Sequence, residues 1–140
     1  MGILPYTFRA FPETLLKDQS VPFFKFGKLH EDLKKFEAMI AKNKPELIIG
    51  FALSRSSRQE TVAVNRFNSG VIDKNGQDMV QLRKIADTPF DLTAKPTHTF
   101  CNWTMYKLAQ KYPVAFFHIK KTDTELFFDW LQTFTVSENS

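Results

Sequence analysis

From Ile3 to Phe8 the chain is apolar almost without a break, then meets Pro12; the run predicts a short strand. Val21–Phe26 predicts a second strand, placed at a sheet edge because Pro22 has no amide hydrogen to give a ladder. Between Lys28 and Asn43 the pattern changes. Leu29, Leu33, Phe36 and Ile40 form one apolar stripe among charged residues, which predicts an amphipathic helix that stops before Pro45. Glu46–Leu53 is nearly continuous apolar sequence, as expected of a strand covered on both faces. A polar loop, Ser54–Gln59, separates it from the β-branched run Glu60–Asn65, and Asp73–Gly76 reads as a turn. Residues 77–96, broken by Pro89 and Pro96, read as a short helix or irregular chain. Asn102–Tyr112 predicts a helix with Met105, Leu108 and Tyr112 on one side, ended by Pro113. Val114–Ile119 predicts a buried strand. Thr122–Glu125 has the spacing of a capping box opening a last helix, with Leu126, Phe127, Trp130, Leu131 and Phe134 as its apolar face.

Strands alternate with helices. The expected fold is therefore α/β: a single three-layer α/β/α domain over residues 1–136, with a mostly parallel sheet and a frayed polar tail at 137–140. The length, 140 residues, fits one domain with a real core, and 15 Phe make that core aromatic. Lys and Arg exceed Asp and Glu by 19 − 15 = 4, a mild basicity that is not by itself a nucleic-acid signature. The Arg55, Arg58 and Arg66 cluster is too sparse to alter that, so no nucleic-acid partner is expected. One cysteine rules out an intrachain disulfide and a cysteine-based zinc site. No apolar run is long enough to span a membrane, and no leader pattern opens the chain. The default expectation is a cytoplasmic protein.

In open α/β sheets, sites gather beyond the carboxyl ends of the strands. Glu60, Cys101 and His118 all fall there. Cys101 opens a helix, where the dipole and free amides favour a thiolate, so its pKa is expected to fall. An imidazole suits the proton transfers a thiolate needs, and a carboxylate on its far nitrogen fixes the tautomer. The plainer readings stay open. A lone cysteine is commonly a packing residue, and His118 can be a hydrogen-bonded core histidine. His98 is a rival base on a loop, and His30 looks like helix surface.

Several stretches, in the same order, resemble the pyroglutamyl peptidase I (pyrrolidone-carboxylate peptidase) family of cysteine peptidases. Ile3–Phe11 is similar to that family's first strand and Phe-x-x-Phe loop. Val21–Phe24, the amphipathic helix and Lys44–Gly50 look like its next strand–helix–strand unit. Glu60–Asn65 is similar to its Glu-x-x-Ala-x-Asn motif, Val71–Gly76 to the turn that follows, Phe100–Asn102 to its Cys-Asn motif, and Phe116–Ile119 to its histidine strand. The chain departs from the pattern in a shorter span before Val21 and another between Gly76 and Thr97. Thr7 and Pro12 replace the first-loop glycines, Gln59 a proline, and Gly70 an arginine. The resemblance implies a shortened, divergent member with Cys101 as nucleophile, His118 as general base and acid, and Glu60 as third member. It also implies that Phe8, Phe11, Val71 and Phe100 line a slot for a flat lactam ring, with backbone amides, including that of Cys101, holding the oxyanion. The expected activity is hydrolysis of an N-terminal pyroglutamyl, or similar small cyclic or blocked, residue through a thioester. It needs neither metal nor organic cofactor. The substrate partner is a peptide or small N-blocked amide, no membrane partner is expected, and a homo-oligomer is compatible. The rival reading is a non-catalytic relative that uses the slot to bind a ligand or partner.

Overall fold

The computed structural model describes residues 2–16 and 23–136. Its elements, in chain order, are β1 (Gly2–Phe8), β2 (Phe24–Phe26), α1 (Leu29–Asn43), β3 (Leu47–Leu53), β4 (Arg58–Glu60), β5 (Val62–Val64), β6 (Met79–Gln81), β7 (Leu92–Thr93), α2 (Phe100–Ala109), β8 (Val114–Ile119), α3 (Thr124–Leu131) and β9 (Thr135–Val136). The main sheet runs β2-β1-β3-β8-β4-β7, with β9 pairing the start of β1. Its pairs are parallel except β4 against β8. β5 and β6 form a separate antiparallel pair. The mostly parallel α/β sheet expected from the sequence is present. β2 is an edge strand as expected; Val21 and Pro22, like the tail 137–140, lie outside the described residues.

Strand alternation assigns the two faces. Leu4, Tyr6 and Phe8 of β1, Ile48 and Ala52 of β3, and Val114 and Phe116 of β8 face one core. Phe36 and Ile40 of α1 and Cys101, Met105 and Leu108 of α2 complete it. The intervening residues Ile3, Leu47, Ile49, Phe51, Ala115, Phe117 and Ile119 face a second core closed by Phe127, Phe128 and Leu131 of α3. Helices thus cover both faces, and burying each large ring contributes on the order of 1.5–3 kcal/mol. Gly50 sits between Tyr6 and Phe116 on the neighbouring strands. A Cβ there would lie 2.4 Å from the Tyr6 ring and 2.6 Å from Phe116, so only glycine lets both rings close over the strand.

Three expectations need correction. The run Glu60–Asn65 is not one strand: Glu60 ends β4 in the main sheet, Thr61 is the break, and Val62 starts β5 in the other. Arg58 and Gln59, read as loop, belong to β4, because Gln59 pairs with Phe117 and its buried amide exchanges hydrogen bonds with the Ile85 backbone (2.7 and 3.2 Å). Residues 77–96 are mostly irregular chain, one of the two forms expected, with the short strands β6 and β7 and no helix. The capping box does not form. A 3₁₀ turn at Lys121–Asp123 precedes α3, the Thr124 hydroxyl donates to the Lys121 carbonyl (3.0 Å), and Leu126 is exposed while Phe128 is buried.

Candidate active site

β4 lies antiparallel to β8 in the register Arg58↔His118, Gln59↔Phe117, Glu60↔Phe116. Alternation therefore puts Arg58, Glu60, Phe116 and His118 on one face, the face on which Cys101 packs. His118 Nδ1 and Glu60 Oε1 are 2.7 Å apart, with Glu60 1% and His118 5% exposed. The same Glu60 oxygen accepts a hydrogen bond from Arg58 Nε at 3.2 Å. Arg58, grouped by sequence with exposed Arg55 and Arg66, is turned inward. The spacing Arg58-x-Glu60 on a strand, which puts both side chains on one face, is the signal that could have found it.

Cys101 stands in the first turn of α2, after N-cap Thr99 and Phe100. Its carbonyl accepts from the Thr104 hydroxyl (2.8 Å), which in turn bonds the Tyr6 hydroxyl (2.9 Å), tying the helix start to β1. Asn102 is fully buried. Its Oδ1 accepts the Val64 amide (3.0 Å), and its Nδ2 donates to the carbonyls of Val64 and Arg66 (both 2.8 Å). Asn102 thereby locks α2 to β5, the strand that directly follows Glu60. The expected fall in the Cys101 pKa is not found. Burial pushes the thiol up to about 12, and the nearby Glu60 charge adds to the rise, against the lowering effects of the Thr99 hydroxyl and Arg58. Loss of solvation outweighs the helix dipole here. Among the described residues no hydrogen bond joins Cys101 to the His118 ring. His98 is exposed, and His30 is an exposed residue of α1 whose ring packs edge-on to Trp103 (5.0 Å).

Beside Cys101 is a cavity of about 110 Å³ lined by Thr7, Phe8, Ala10, Phe11, Ala52, Leu53, Phe100 and Cys101. Phe8 and Phe100, which both line it, meet edge to face at 4.7 Å. Phe8, Phe11 and Phe100 thus share one cavity. Val71, expected with them, lies outside it and is 61% exposed. Asn65 is the reason: its Oδ1 accepts the amides of Ile72 and Asp73 (2.9 and 2.8 Å), which turns Ile72 into the core and Val71 outward. Among the described residues no group of three or more His, Cys, Asp and Glu side chains is placed to share a metal ion, and no helix is long and apolar enough to cross a membrane.

These features define an open, mostly parallel α/β protein with reactive side chains near the carboxyl ends of its inner strands, the usual location of ligand sites in this class. Solved structures similar to it in fold include pyrrolidone carboxyl peptidases. That from Thermus thermophilus has a TM-score of 0.63 at 16% identity, over 96% of this chain and 92% of its own. The pyroglutamyl peptidase I from Bacillus amyloliquefaciens has a TM-score of 0.65 at 15% identity, over 99% and 88%. The Fervidobacterium islandicum enzyme has 0.64 at 16%, over 86% and 81%. At such identities the likeness is one of fold. No family model and no curated protein sequence matches the chain.

Proposed function

We propose that the chain is a divergent pyroglutamyl-peptidase-like cysteine hydrolase, which removes an N-terminal pyroglutamyl or similar small cyclic or blocked residue from peptides. The reading is carried by the His118–Glu60 hydrogen bond at 2.7 Å, on the sheet face where Cys101 borders an apolar cavity. The fold shared with pyrrolidone carboxyl peptidases supports it. Because burial keeps the Cys101 thiol protonated, His118 must take its proton as sulfur attacks. Nδ1–H of His118 donates to Glu60, which leaves Nε2 as the base. Sulfur adds to the carbonyl that joins the blocked residue to the peptide. His118 then protonates the leaving amine, the C–N bond breaks and a thioester remains. Water, deprotonated by His118, attacks the thioester carbonyl; the C–S bond breaks and returns free thiol and acid. The first-turn amides of α2, including that of Cys101, have no intrahelical acceptor and suit the oxyanion. Phe8, Phe11 and Phe100 exclude water around a flat ring.

The test is a fluorogenic pyroglutamyl amide with wild type and Cys101→Ala. Turnover lost in the variant supports the reading; a wild type inactive on every small N-blocked amide overturns it. A second reading, a non-catalytic relative that binds N-blocked peptides in the same cavity, is favoured by the high thiol pKa. Saturable binding of a pyroglutamyl peptide by wild type with no product formed over hours supports that alternative.

A further inference from the structure

The side chain most thoroughly built into the site, beyond the three residues already assigned roles, is Arg58. Its Nε donates to Glu60 Oε1, the atom that also bonds His118. Its Nη1 donates to Ser54 Oγ (2.8 Å), the Ser56 carbonyl (3.1 Å) and Ser56 Oγ (3.2 Å). The loop that supplies these acceptors is itself pinned to the end of β8. The Ser54 amide donates to the Ile119 carbonyl (2.9 Å), and Ser57 Oγ accepts the Lys120 amide (2.8 Å) and donates to Asp123 (2.6 Å). The polar loop after β3 therefore cradles one guanidinium and aims it at one buried carboxylate.

We propose that Arg58 is a positioning residue that supplies the standing counter-charge for Glu60, so that His118 can remain a neutral, correctly oriented base. The proposal rests on the reading of His118 as base given above. The physical case begins with Glu60 at 1% exposure. A buried carboxylate with no cation beside it is strongly disfavoured. A neutral imidazole donates a hydrogen bond but brings no charge. From α2 the site is faced by Cys101, which burial keeps protonated, and behind it on β1 by Tyr6, whose phenol burial also keeps protonated. Asp123 is reached only through Ser57 and adds negative charge. Arg58 is the permanent cation bonded to Glu60. Without it the pair has two ways to relieve the buried charge. Either His118 takes a proton on Nε2 and becomes an imidazolium, or Glu60 takes one and ceases to accept from Nδ1. Each removes the base.

The experiment is ¹⁵N NMR of the imidazole nitrogens at neutral pH in wild type, Arg58→Gln and Arg58→Lys, with His118 assigned by its loss in His118→Gln. Wild type should show His118 as the neutral Nδ1–H tautomer. Arg58→Gln should show imidazolium, or a mixture of neutral tautomers, and Arg58→Lys should restore most of the wild-type signal. On the pyroglutamyl amide, Arg58→Gln should lower kcat on the order of 10–100-fold with KM little changed. If the imidazolium forms, the loss should shrink as the pH is raised. A Ser54→Ala/Ser56→Ala variant keeps the cation but frees its far end, and should move the His118 signal in the same direction by less. It stands in should Arg58→Gln fail to fold. A folded Arg58→Gln, or the serine variant in its place, with an unchanged His118 spectrum overturns the inference, whatever the peptidase assay gives. An inactive wild type whose His118 spectrum depends on Arg58 overturns the peptidase reading and leaves the electrostatic role standing.

Discussion

Replacing Asn102 should destabilise the protein far more than removing an ordinary polar side chain. It is fully buried, and all three of its amide hydrogen bonds go to backbone groups of Val64 and Arg66. Asn102→Ala strands one buried amide and weakens the pairing of two carbonyls. A typical net hydrogen bond is worth about 1 kcal/mol, and a stranded buried group costs about 1–3 kcal/mol, so the loss should be about 2–4 kcal/mol. For a domain of this size that lowers Tm by about 6–12 °C. The assay is thermal and urea unfolding followed by circular dichroism. Asn102→Asp separates hydrogen bonding from volume. It keeps the shape but points a carboxylate at the carbonyls of Val64 and Arg66, so at neutral pH it should cost at least as much as alanine. Part of that loss should return as the pH falls toward about 4, because burial among carbonyl acceptors raises the carboxyl above its ordinary range and the protonated acid can donate again. An Asn102→Ala variant within about 0.5 kcal/mol of wild type would refute the reasoning, since that is the range of unconnected surface changes.

Two further outcomes follow from the titrating groups. The Gly27 amide, with help from the Lys28 amide and the charges of Lys35 and Arg9, holds the Asp32 carboxyl below its ordinary range despite burial. A depressed carboxylate stabilises the fold above its unfolded pKa and loses that contribution as pH falls through the folded one. Asp32→Ala should therefore cost about 1 kcal/mol at neutral pH, with the difference from wild type closing in acid; parallel stability curves down to about pH 3 would show that the Asp32 contacts are inert. With the Cys101 thiol pushed up to about 12, iodoacetamide alkylation of the native protein should keep accelerating through the alkaline range. A rate that levels off near neutrality would mean that a thiolate already forms there.

The long elements were legible because their periods were clean. The stripe of α1 and the continuous apolar runs of β3 and β8 each admit one reading, and the structure has all three. The failures were local. Thr61 carries no sequence mark of a strand that changes sheets, because a β-branched run looks the same whether it pairs once or twice. Gln59 looked like loop because its strand is three residues long and its side chain acts on a backbone distant in sequence. Order along the chain, with the family resemblance, singled out Glu60 and His118, and they meet. What order could not give was environment. Helix-start chemistry argued for an acidic Cys101, while its burial in the core beneath the sheet argues the other way.

The position of β8 bears on how the molecule assembles. It is one of the last strands made, yet it lies inside the sheet, between β3 and β4. Until residues 114–119 arrive, β3 has a bare edge and β4 has no partner on that side. The contact between His118 and Glu60 spans 58 positions of chain, so its loop-closure cost must be met before it contributes anything. Insertion of β8 completes the sheet and the candidate site in one event. A nascent chain that stops short of it lacks the site and carries an open strand edge, which other chains can join.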